Sequence, residues 1–198
     1  MPTTIHLVRH GHHGLLGRVL CGRMPGVELD AEGRAGMAAC AALLTPVPSV
    51  IQSSPQTRAV QSADILATHF GLAVEVAADV DEIDLGGWTG RSFDELEHDP
   101  AWRHWNAHRG SSTPPGGESM GDLQARMIGH IEALCLDRAG DTIAIVSHAE
   151  PIRAVVLHYA QVLLDDFLSV EIDPASVTTL IEGATSVQLS RVNQKVAA

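Results

Sequence analysis

Cysteine is scarce in this chain. Cys21, Cys40 and Cys135 are its three, an odd number, far apart and without a C-x-x-C pair, which argues against a disulfide framework or a thiolate zinc site and fits a reducing compartment. Positive charge is short as well: 13 Lys and Arg stand against 24 Asp and Glu, for a net charge of −11. That balance repels polyphosphate backbones and anionic lipid surfaces, so neither nucleic acid nor a membrane is an expected partner. No apolar run approaches the ~18 residues of a membrane span. Met1 to Val8 carries no Lys or Arg ahead of its apolar stretch, unlike a signal peptide. The expectation is a soluble, cytoplasmic protein. Low-complexity tracts and internal repeats are also missing.

What is present is ordinary globular composition, 45% hydrophobic and 19% charged over 198 residues. At about 150 residues per domain the simplest expectation is one domain over residues 1–198. A chain of this size can bury roughly 70% of its unfolded surface, enough for a core without staples.

Short apolar runs alternate with amphipathic stretches, the pattern of an α/β fold with helices on both faces of a mostly parallel central sheet, a three-layer sandwich. Ile5 to Val8 reads as the first strand. Asp30 then caps a helix with Ala31, Ala35, Ala38, Ala39, Ala42 and Leu43 on one face, ended by Pro46. Val50-Ile51 opens the second strand. Ser54-Pro55 reads as an N-cap and first-turn proline of a helix that Gly71 closes. Ala73 to Val76 reads as the third strand. From about 79 to 117 the periodicity weakens, which predicts a helical and loop insertion over the C-terminal edge of the strands. Ser119 caps a helix with Leu123, Met127, Ile131 and Leu134 in one stripe, and Ile143 to Val146 forms a buried strand. A helix through Ile152, Val155, Val156 and Tyr159 follows. The β-rich runs Val177 to Ile181 and Val187 to Val192 complete the sheet, with Lys195 to Ala198 expected to fray.

Three of these strands deliver cationic or titratable side chains just beyond their C-terminal ends: Arg9 and His10 after the first, Arg58 after the second, and His148 after Ile143 to Val146. That edge is where open α/β sheets bind ligands. If the strands are neighbours the four groups converge, with Arg58 in a helix first turn whose free amides also favour an anion. A local cationic pocket on an acidic protein points to phosphate.

The residues carrying this chemistry stand in motifs that resemble the histidine phosphatase superfamily, the phosphoglycerate-mutase-like proteins. Arg9-His10-Gly11 follows the first strand, and Gly22-Arg23 and Leu29 to Gly33 resemble the next segment. Ser53 to Ala63 is close to the second phosphate motif, Glu82 to Gly90 looks like the acid segment, and Gly117-Glu118-Ser119 and Val146-Ser147-His148 complete the order. The resemblance implies a phosphoric monoester hydrolase of the histidine acid phosphatase type, acting on a small phosphorylated substrate with no cofactor and no metal. It implies His10 as the nucleophile forming a phosphohistidine, Glu82 as general acid, and Arg9, Arg58 and His148 as phosphate-binding groups. His13, Cys21 and Gly22 are candidate substrate contacts. The chain departs from the family at His12, His13 and Leu16, where Glu or Gln, Thr and Asn are usual, and at Ala149 and Glu150, where glycines commonly follow the second histidine. A phosphatase of the α-ribazole phosphate type and a broad-specificity one both fit.

Other readings compete. His10, His12 and His13 after a strand could open a metal-dependent hydrolase barrel, but such barrels typically need about 250 residues, and Arg9 would repel a divalent ion. Asp79-Val80-Asp81 echoes the Asp-x-Asp nucleophile of magnesium-dependent phosphatases, with Ile83 where Thr or Val is wanted. Phosphoglycerate-mutase-type transfer is the nearer alternative, although mutases of the family are generally longer. A catalytically weak phospho-ligand-binding protein would more naturally have lost His10 or Glu82.

Overall fold

Successive side chains of β1 (Thr4–Arg9) point to opposite faces, and both faces are apolar: Ile5 and Leu7 enter one buried cluster and Val8 the other. In β4 (Thr142–Ser147), Ile143 and Ile145 divide from Ala144 and Val146 in the same way. A strand apolar on both faces has to be covered on both. In the computed structural model, which describes residues 2–183 and 186–196, α5 (Met120–Asp137) and α6 (Ala149–Tyr159) cover the first face with Leu123, Met127, Ile131, Ile152 and Val155. The second face is covered by α1 (Ala31–Cys40) and α2 (Thr57–Phe70), through Met37, Cys40, Ala59, Ala63 and Leu66.

The remaining strands are β2 (Val50–Ser53), β3 (Val74–Val76), β5 (Val177–Glu182) and β6 (Val187–Gln194), giving a six-stranded sheet in the order β3-β2-β4-β1-β5-β6. The first four in that order run parallel, whereas β5 is antiparallel to β1 and β6 to β5. This is the mostly parallel α/β fold expected from the sequence. Its register matters most: Ser53 pairs with Val146, and Arg9 with Ser147. The chain therefore leaves β1, β2 and β4 side by side at one edge.

Local signals account for most boundaries. Asp30 caps α1 by accepting from the Gly33 amide, Ser119 caps α5 by accepting from Asp122, and Gly71 ends α2 at φ +69°. The insertion contains two short helices, α3 (Phe93–Glu97) behind a Ser92/Glu95 capping box and α4 (Pro100–Ala107) behind Asp99, with Trp88 edge-on to Trp102 of α4 and both rings tilted against Trp105. Among the described residues no helix is long and apolar enough to cross a membrane.

Four expectations need correction. The buried side of α1 is Gly33, Met37 and Cys40, not the alanine stripe, because an alanine-rich helix has little contrast between faces and Gly33 lets the backbone approach closely. Gln56, not Ser54, is the N-cap of α2, and Pro55 lies before the helix; the Ser54 hydroxyl is engaged elsewhere, as described below. β3 starts at Val74, and β6 runs on to Gln194. In the C-terminal segment expected to fray, Ala197 and Ala198 lie outside the described residues.

A Cβ at Gly33 would strike the His12 carbonyl oxygen, inside the loop that follows β1, whereas one at Gly129 in α5 would meet nothing within 4 Å. Gly33→Ala should destabilise the protein by about 2–3 kcal/mol, while Gly129→Ala should stabilise it by up to about 1 kcal/mol by removing a glycine from a helix interior. Denaturant unfolding of the two variants checks this. Similar effects from both would contradict the packing described.

Candidate active site

His10 follows β1 directly, and its amide donates to the Ser147 carbonyl of β4 at 3.0 Å, so the sheet itself sets the position of the ring. The loop beyond it is clamped to the head of α1. Asp30 accepts from the Gly33 amide and from His12 Nδ1 at 2.6 Å, and the Gly11 amide donates to Ser62 Oγ. Gly11 and Gly33 meet so closely that a Cβ on either would strike backbone. The His10 ring is buried and its protons are assignable. Nδ1 is 2.8 Å from the Gly11 carbonyl, which can only accept, so Nδ1 carries the hydrogen; Nε2 accepts from Arg58 Nε at 3.3 Å. Burial, with the Arg58 and Arg9 charges close by, holds the imidazole well below the usual histidine range and thus neutral.

Arg58 lies in the first turn of α2, a poor place for a cation on dipole grounds. It is 1% exposed, its Nη2 donates to the Gly22 carbonyl at 2.7 Å, and its Nη1 has no hydrogen-bond partner among the described residues. Arg9 is held by the Ile172 carbonyl at 2.6 Å through Nη1, while its buried Nε has no partner. Arg58 and the Nε of the half-buried Arg9 are thus taken out of water with donors to spare, which is costly unless an acceptor is to be bound.

Glu82 reaches the same place from the insertion. Its loop is pinned from behind: Arg126 of α5 donates to the carbonyls of Asp79, Asp81 and Glu82, and Arg23 donates to the Glu82 carbonyl at 2.7 Å. The buried carboxyl accepts from the Ile83 amide, and its pKa is pushed up to about 7, first by burial and then by the Glu150 charge, against the pull of Arg58. It is therefore largely protonated in mildly acidic solution.

His148 is fully buried behind His10, the rings 5.1 Å apart and edge-on. Ser54 has a single hydroxyl proton, which goes to Asp81 Oδ1 at 2.9 Å, so Ser54 Oγ accepts from His148 Nε2 at 2.7 Å. Gln56 donates to both Asp81 oxygens. His148 Nδ1 is unpartnered and lies 3.8 Å from Glu82 Oε2.

The structure thus gathers His10, Arg9, Arg58, His148 and Glu82, all at the edge predicted. The first three and Glu82 line a cleft of about 130 Å³, with His148 one layer behind. His13, Cys21 and Gly22 line it too. His13 is buried, its pKa lowered to about 4 by burial and the two arginines; burial raises the Cys21 thiol; the Gly22 carbonyl is occupied by Arg58. His12 does not join the other histidines, being turned to Asp30. Sequence reasoning did not assign Ser54 and Asp81, or the cleft-lining Leu85, Phe93 and Glu150. The Ser54 signal was present but was read as a helix cap, a role that uses the same hydroxyl.

A pocket with one buried and one half-buried guanidinium, a neutral imidazole and a carboxyl whose pKa is pushed up to about 7 suits an oxyanion of phosphate's size, which places the chain among α/β domains that handle phosphoryl groups. Comparison with known proteins agrees. The chain belongs to the histidine phosphatase superfamily, branch 1, whose family model matches residues 5–195. It is 32% identical to the bifunctional protein Rv2228c of Mycobacterium tuberculosis, over 98% of this chain but 54% of that protein, so the chain spans about half the length of that relative. It is 30% identical to phosphoserine phosphatase 1 of Hydrogenobacter thermophilus, over 66% of this chain and 63% of the relative. Among solved structures, mycobacterial glucosyl-3-phosphoglycerate phosphatase in complex with VO3 superposes with a TM-score of 0.85 at 25% identity, covering 97% of this chain and 99% of its own.

The hydrogen bonds at His10 define one tautomer, with the proton on Nδ1 and the lone pair on Nε2. In ¹⁵N NMR of histidine-labelled protein, His10 should show that neutral tautomer and still show it at about pH 6, where an unperturbed histidine is mostly charged. A His10 signal titrating near the ordinary value would contradict the electrostatics of the cleft.

Proposed function

We propose that this protein hydrolyses a small phosphomonoester without a metal, through a phosphohistidine on His10. The observation that carries the reading is the pairing in one cleft of a buried imidazole, with its proton on Nδ1 and its lone pair on Nε2, and a buried carboxyl whose pKa is pushed up to about 7. The kinship with phosphatases supports hydrolysis over phosphoryl transfer between metabolites.

The substrate's phosphoryl oxygens take up the free Arg9 and Arg58 donors and draw Arg58 Nε off His10 Nε2, which frees the lone pair and places phosphorus in front of it. The Nε2 lone pair attacks phosphorus while the ester P–O bond breaks, its electron pair leaving with the alcohol oxygen. Glu82 gives its proton to that oxygen. Arg9 and Arg58 hold the charge that spreads over the equatorial oxygens. A bound dianion also favours the charged form of His148, whose Nδ1 then donates to phosphate while Nε2 remains anchored on Ser54 and Asp81. In the second half, the Glu82 carboxylate takes a proton from water as its oxygen attacks phosphorus, the P–N bond breaks, and neutral His10 and inorganic phosphate result.

Three consequences are measurable. Glu82→Gln should slow hydrolysis of an alkyl phosphate roughly 10²- to 10⁴-fold, but slow an activated aryl phosphate much less, because a phenolate leaves without a proton. Since Glu82 is active when protonated, kcat/KM for the alkyl ester should fall as pH rises through about 7, and this limb should disappear in the variant. Hydrolysis should also persist in excess chelator. Equal losses on both esters would give Glu82 a structural role, and activity restored only by added magnesium or zinc would overturn the metal-free mechanism.

A further inference from the structure

Beyond the phosphate cradle, the cleft has a second charged wall that takes no direct part in the bond-making steps. Glu150 stands in the first turn of α6, two residues after His148, and lines the cleft. Its Oε2 is held by Arg109 Nη1 at 3.2 Å and faces Arg153 Nη1 at 3.6 Å. Arg109 is itself fixed: it is buried, with its guanidinium between the Trp105 and Phe167 rings, 3.7 and 4.0 Å from their centroids, and donates to Asn106. Neither arginine lines the cleft. They compensate the burial of the carboxylate and lock its orientation, while Oε1 has no hydrogen-bond partner among the described residues.

The charges lining the cleft follow a simple pattern. Arg9 and Arg58 are its only cations among the described residues, and both are committed to the phosphoryl group. His13 is neutral near pH 7. Apart from Glu82 and Glu150, the remaining side chains of the lining are apolar or small, Leu16, Leu20, Leu85 and Phe93 being the largest. A carboxylate accepts hydrogen bonds and donates none. A second anionic group on the substrate would find no free cation in the lining and would face a carboxylate whose two arginine partners lie outside the cleft.

We infer that Glu150 makes this site selective for phosphomonoesters whose alcohol part carries a hydrogen-bond donor, a hydroxyl or ammonium group, and no second anionic group. The inference rests on the phosphatase reading above. It also explains why a glutamate can stand where glycine is common in the family: the residue takes the place of bare backbone with an oriented acceptor.

The test is a matched pair of esters, glycerol 3-phosphate and 3-phosphoglycerate, which differ only in a hydroxymethyl against a carboxylate. Both release primary alcohols, so any change in Glu82 acidity cancels in their ratio. The wild-type protein should favour glycerol 3-phosphate by about tenfold or more in kcat/KM, chiefly through KM. In Glu150→Gln, whose amide also donates, the ratio should shrink to within about threefold. 4-Nitrophenyl phosphate serves as the reference ester: turnover of it with no preference between the pair, or a preference unmoved in the variant, overturns the specificity assignment while leaving the phosphatase reading in place. Failure to hydrolyse all three esters overturns that reading itself. Should the variant not fold, the wild-type ratio, together with weaker competitive inhibition by 3-phosphoglycerate than by glycerol 3-phosphate, decides the matter alone.

Discussion

The contact on which the site depends is that between Arg58 and His10. A guanidinium buried in the first turn of a helix, bonded to a carbonyl and an imidazole nitrogen rather than to a carboxylate, is an expensive arrangement. It does two things at once. Its charge adds to the effect of burial in keeping His10 neutral, and its Nε defines Nε2 as the nitrogen that bears the lone pair. The sheet register makes the contact possible, because β1, β2 and β4 end level with one another, and the Gly11–Gly33 approach keeps the loop after β1 from drifting.

The opposite requirement is met at Glu82. A carboxyl next to two arginines would ordinarily be driven to the charged form, yet burial and the Glu150 charge outweigh them here. Glu150 therefore has two effects through one carboxylate, raising the proton affinity of Glu82 and giving the far wall of the cleft its polarity. The insertion that carries Glu82 has weak secondary structure and is held instead by Arg23, Arg126 and Glu118, a mesh of charge-assisted bonds from α5 and the loop before α1. Arg126 contacts backbone carbonyls for the most part, so it positions the loop without neutralising the acid.

Much of this was legible in the sequence, for identifiable reasons. The strands carrying Arg9-His10 and His148 are apolar on both faces, so their ends and the residues beyond them could be placed, and Asp30, Gly71 and Ser119 mark helix ends by their own chemistry. Arg58 was legible because a cation in a helix first turn is anomalous. Glu82 stands among Asp79, Asp81 and Asp84, and only the family motif singled it out. What stayed hidden depends on contacts between distant segments. Ser54 could cap a helix or bridge His148 to Asp81, and only the tertiary arrangement decides between them. The pairing of Glu150 with Arg109, and the placing of Phe167 on a short 3-10 helix (Leu164–Ser169) beneath them, have no local signature at all. The buried side of α1 was misjudged because alanine on every face carries no directional information.

The central claim is that His10 Nε2 is the atom that receives the phosphoryl group. Rapid mixing with substrate, a quench without acid to preserve a P–N bond, and mass spectrometry of the peptides test it directly. A phosphoryl group on His10, formed within one turnover and lost on further incubation, is the result the account predicts. Phosphorylation of His148, His13 or Asp79 instead, or a turnover that leaves His10 unmodified at every time point, would contradict it.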